Sequence, residues 1–113
     1  MTRYLLTFDD GAMTFPEEET SAVTDIVHAV VAEAKDAGVW VTAGGLTAPA
    51  EVSVVATDGT VTDGLIPGKS AYLGGFAIVD VPSREEALKW AAKFAVACRC
   101  AHEVRQIMYD PLV

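Results

Sequence analysis

Basic residues are scarce in this chain of 113: eight Lys and Arg stand against sixteen Asp and Glu, leaving a net charge of −8. A field of that sign repels phosphate backbones and anionic lipid, so neither nucleic acid nor a membrane surface is an expected partner. Cysteine is nearly missing too. Cys98 and Cys100, the only two, lie too close along one element to meet disulfide geometry easily, which points to a reduced, cytoplasmic protein. No run approaches the roughly 18 apolar residues of a membrane span. The start, MTRYLLTFDDG, has a short apolar run ended by Asp9 and Asp10 and lacks the h-region and cleavage site of a signal peptide.

Several chemical signatures are also missing. Gly44-Gly45 and Gly74-Gly75 have neither the spacing of a phosphate-cradling loop nor a helix directly after them. No serine sits in a nucleophile elbow. Cys98, Cys100 and His102 lack the fourth ligand that a zinc site usually wants, so the expectation is a buried or half-buried thiol at a helix end, and no metal or cofactor.

Apolar residues, by contrast, make up 51% of the chain. A domain this small has much surface to cover, so that share suggests burial against another subunit. The length fits one domain, residues 1–113. Residues 3–8 alternate with period two and predict a first strand. Thr14 to Glu17 has the spacing of a capping box, with Pro16 inside the first turn and three acids at the positive helix end. The helix it opens carries Val23, Ile26, Val27, Val30 and Ala34 on one stripe, turns Thr24, His28, Ala32 and Lys35 away, and stops at Gly38. Val39 to Ala43 reads as a second strand ending at Gly44-Gly45.

Residues 51–57 predict a third strand, turned at Asp58-Gly59 into a short partner over residues 60–63. Leu73 to Val81 predicts a long strand, with Gly74-Gly75 marking a bulge or a close backbone approach. Ser83 to Glu86 is a second capping box. The helix after it shows Leu88, Ala91, Ala92 and Ala95 on its apolar face, with Trp90 and Phe94 on a flank and Glu85–Lys89 as an exposed pair. Residues 103–109 predict a last strand.

The order is β-α-β, an inserted hairpin, then β-α-β. The expected fold is α+β: a ferredoxin-like split βαβ with both helices on one face of a four-stranded antiparallel sheet. The other sheet face would lie open, and closing two such faces together gives a homodimeric α/β barrel. Within residues 57–81, Asp63 enters a glycine-containing loop and is the candidate general acid or base; the alternative is a turn cap bonded to backbone amides. Arg105 could hold an anionic ligand through its fork, or form an ion pair. Tyr72 is a candidate ligand-binding aromatic, with packing as its alternative.

An ordered set of short motifs runs through nearly the whole chain: the RYLL start, Ala37-Gly38, Gly45-Leu46 with Pro49, Thr62-Asp63-Gly64, Leu73-Gly74-Gly75-Phe76 and Glu103-Val104-Arg105. Together they resemble the YCII-related family, in the branch named after an Asp-Gly-Pro-Phe motif. Only Asp63-Gly64 carries that motif over, since Leu65 and Ile66 replace the Pro and Phe. The resemblance implies a dimeric α+β barrel and a mostly unassigned function, with some members accompanying extracytoplasmic-function sigma factors. In the shorter branch a His–Asp pair is proposed. Its histidine position falls on Val27, one residue from His28, which is a rotation of about 100° on a helix. The expectation is therefore a small-molecule-binding or regulatory homodimer with His28 solvated, the alternative being an enzyme of unknown reaction that uses Asp63.

Overall fold

The computed structural model describes residues 1–113. Alternating Tyr4, Leu6 and Phe8 lie in β1 (Thr2–Asp9). The expected capping box at Thr14 does not form; a 3-10 turn, Glu17–Glu19, begins after Pro16 with no side-chain cap. Thr20 Oγ1 instead donates to the Glu17 carbonyl, 2.7 Å away, at the start of α1 (Thr20–Asp36). Gly38 ends that helix at φ +74°, the left-handed conformation glycine adopts freely. β2 (Trp40–Gly45) follows.

The predicted third strand is shorter than its apolar run. Pro49–Glu51 forms a 3-10 turn, leaving β3 (Ser53–Val55) to pair with β4 (Val61–Asp63). Asp58-Gly59 turns this hairpin: Gly59 takes φ +87°, and Asp58 Oδ1 accepts the Thr60 N–H at 2.9 Å. β5 (Leu73–Val81) has the predicted bounds. Ser83 caps α2 (Arg84–Cys98), its hydroxyl oxygen accepting the Glu86 N–H at 3.2 Å. β6 (Glu103–Gln106) is cut short of Tyr109.

The main sheet runs β2-β5-β1-β6 with every pairing antiparallel. With both helices packed on it, this α+β arrangement is compatible with the ferredoxin-like plan. The bulge expected at Gly74-Gly75 is present: Phe8 faces Gly75 while Asp9 faces Leu73. A Cβ on Gly74 would stand 2.9 Å from Asp10 Cα, so the backbones approach where only glycine fits.

One face of the sheet carries the core, with Tyr4, Leu6, Ala77, Val79 and Val81 packed against Ala34 of α1 and Trp90 of α2. The apolar face of α2 differs from the expected one: Ala87, Trp90, Ala91, Phe94, Ala97 and Cys98 are buried, while Leu88 is 39% exposed. The large aromatics gain most from leaving water, so they set the rotation of the helix. Ile26 likewise turns out of the α1 stripe, at 48% exposure. Charge pairing on α2 joins Lys89 to Glu86, and Lys93 reaches across to Glu33 of α1.

No second layer covers the opposite sheet face. The molecule measures 45 × 43 × 18 Å, and its thinnest dimension accommodates only one helix layer on one sheet. Its radius of gyration, 15.9 Å, exceeds the roughly 13 Å of a compact chain this long. No helix is long and apolar enough to cross a membrane.

Candidate functional site

Helix α1 does not lie flush on the sheet along its whole length. Between it, β2 and the ends of β1 and α2 is a cavity of about 340 Å³. The chain has four phenylalanines and two histidines, and all six line this one space. Phe8 comes from β1, Phe15 from the segment before α1 and Phe94 from α2, while Phe76 borders the space from β5 although alternation turns its ring with Ile78 toward the opposite sheet face. Trp40 adds a fourth ring to the wall, its centroid 5.9 Å from that of Phe94.

A glycine makes room for this aromatic wall. Gly75 lies across from Phe8, and a Cβ there would stand 2.6 Å from Phe8 Cζ. An ion pair joins the chain past Phe15 to the chain past Cys98. Arg99 caps α2 in the left-handed conformation, φ +59°, and its Nη1 lies 3.0 Å from Glu19 Oε2. The same guanidinium sits 6.0 Å from the Phe15 ring centroid, which ties the segment before α1 to the end of α2.

The polar groups in the lining are few: Thr24 and His28 on α1, Cys98 at the end of α2, and His102 just before β6. His28 is exposed, yet it edges the cavity together with Thr24 one turn before it. The helical period had turned both residues away from the stripe. The lining nevertheless takes them in beside Val23, Val27 and Val31 of the same helix. His102 packs on Phe8, centroids 5.3 Å apart, and its Nδ1 lies 3.1 Å from the Cys100 carbonyl. A carbonyl only accepts, so Nδ1 carries the proton and Nε2 of the neutral ring is left as an acceptor. Burial pushes the Cys98 thiol up to about 11, with Cys100 adding like-charge repulsion, so Cys98 lines the cavity as a neutral thiol. Both cysteines are free.

Asp63, Tyr72 and Arg105 are not brought together, and none of them lines this cavity. Asp63 is exposed in β4 and its Oδ1 accepts the Ser53 hydroxyl at 2.5 Å. Tyr72 pins the loop before β5: its hydroxyl oxygen accepts the Ile66 N–H at 2.9 Å, and Lys69 Nζ sits 4.7 Å from the ring centroid. It also lines a second cavity of about 270 Å³ beside Leu46 and Pro49. Arg105 lies opposite Leu5, whose strand neighbours Tyr4 and Leu6 face the core, so alternation puts Arg105 on the uncovered side.

No curated protein is significantly similar to this sequence. A model of the YCII-related domain matches residues 2–109, and the chain therefore belongs to the YCII-related family.

Proposed function

We propose that this protein is a homodimeric binding or regulatory module that takes a small molecule in the cavity between α1 and the sheet. The supporting observation is the convergence of Phe8, Phe15, Phe94, Trp40 and both histidines on that space. Small-molecule sites are typically concave and apolar, with a few polar groups fixing orientation, and about 340 Å³ falls at the lower end of their usual range.

The dimer reading is supported by the bare sheet face. Leu5, Phe76 and Ile78 are only half-buried there with no layer packed over them. Asp80, facing Arg3 across the strands, has a buried Oδ1 with no hydrogen-bond partner. A second sheet closing over this face as a barrel would cover the apolar groups and could supply a donor to Asp80. Arg105, on the same face, would then contribute to the interface.

The catalytic alternative keeps Asp63 as general acid or base. The surroundings favour the binding module, because the one side-chain bond to that carboxylate comes from a serine hydroxyl rather than from a titratable partner.

A thermal-shift screen of small aromatic compounds tests the reading, since a ligand of the native state raises the melting temperature by linkage. Val27→Phe puts a ring into the cavity from a half-buried position on α1. Hits that vanish in this variant support the proposal. Hits that persist in it, or no hits at all, count against it. Asp63→Asn is expected to leave every shift unchanged, and loss of the shifts would instead favour the catalytic alternative.

A further inference from the structure

Resting on that reading of the cavity, we infer that its ligand is an aromatic weak acid: one or two fused rings carrying a carboxylate or a phenolic hydroxyl, held by the imidazoles of His28 and His102.

The chain carries sixteen carboxylate side chains, and none of them lines the cavity. Nor does any lysine or arginine. The lining does hold two imidazoles, groups that can be neutral or positive but not negative. A cationic ligand would therefore give up its hydration among four aromatic rings with no opposing charge to replace it. A weak acid entering in its neutral form meets no such penalty. His102 holds its Nδ1 proton against the Cys100 carbonyl, so Nε2 is free to accept a hydrogen bond from a carboxylic acid or phenol O–H. If the proton moves, the O–H bond breaks and an N–H bond forms at Nε2. The products are an oxyanion and an imidazolium, and the pair remains neutral overall.

The walls select the rest of the molecule. Phe8, Phe15, Phe94 and Trp40 offer ring faces and edges from four separate segments. Flat rings pack against such surfaces in offset and edge-to-face arrangements that a branched aliphatic chain cannot match. Phe8 is in contact with His102, so the stacking surface and the acceptor nitrogen lie side by side. His28 and Thr24 add a second polar edge one helical turn apart.

Isothermal titration of the full chain with three probes of one size tests this: 2-naphthoate, 2-naphthamide and (2-naphthyl)methylammonium. A charge-assisted hydrogen bond strengthens binding by about tenfold or more, so naphthoate is expected to bind at least about tenfold tighter than the ammonium probe. His102→Gln and His28→Gln should each weaken naphthoate about fivefold or more while changing amide binding less than about twofold. Trp40 fluorescence should respond to naphthoate in the wild type and not in Val27→Phe. If the amide or the ammonium binds as well as naphthoate, the acid inference is overturned while the cavity keeps its role as a binding site. If no probe binds, the inference and the binding reading fall together. If naphthoate binds equally to Val27→Phe, it sits elsewhere and the inference is wrong. Circular dichroism melts of each variant identify any that has failed to fold, and the comparison among the three probes on wild-type protein stands without them.

Discussion

An added Cβ at Gly75 would press on Phe8, and the ring has only the cavity to move into. Gly75→Ala is therefore expected to destabilise the fold by about 1–3 kcal/mol, as overpacking does, and to reduce ligand binding as well. Urea denaturation and the thermal-shift screen read the two effects; an unchanged midpoint would mean the ring has slack. Cys98 supplies a pH test. Its native thiol holds its proton to about 11, whereas the unfolded chain loses it near the ordinary 9.0. Between those values the native state binds the extra proton, so stability is expected to fall as pH rises from about 9 to 11. Replacing the thiol in Cys98→Ala should flatten that slope. Denaturation midpoints measured across the range decide it.

Among the elements, those with strong local signals match their predicted bounds. The Ser83 box and Gly38 stop are examples, because capping and positive φ depend on a few adjacent residues. Ser83→Ala should cost about 1 kcal/mol, measurable by thermal melting, and no loss would mean that water replaces the cap. The Thr14 box had the same spacing and failed, because Pro16 adopts an extended ψ of 142° and helical geometry starts only after it. Local spacing could place Glu17 but not decide where the helix began. Convergence on the cavity was harder to read. Phe8, Phe15 and Phe94 lie up to 86 positions apart along the chain, and only the strand register and helix rotation bring them together. The concentration of phenylalanine and histidine in one place is a property of topology, to which a one-dimensional period is blind. Asp63 stood out in the sequence for the opposite reason: an Asp-Gly turn is a local feature, conspicuous whether or not chemistry happens there.

The molecule as a whole is a plate with one finished face and several unsupported projections. The β3–β4 hairpin has all six strand residues exposed, and a two-stranded hairpin alone is at best marginally stable in water. Met108, Tyr109, Leu112 and Val113 extend beyond β6, each 88% exposed or more. Together with the bare sheet face they favour a second copy. Light scattering is expected to give twice the chain mass of 11.9 kDa. The double change Leu5→Glu and Ile78→Glu places like charges on that face and should yield a folded monomer. A monomeric wild type would count against the barrel dimer.

Because the chain's two histidines both line the cavity, their imidazole signals monitor it without background from elsewhere. The most direct test of a ligand site there is to follow those NMR signals while a compound that raised the melting temperature is titrated in. Saturable shifts at both His28 and His102, lost in Val27→Phe, are the predicted result. Melting-temperature gains that leave both imidazoles unmoved would contradict it.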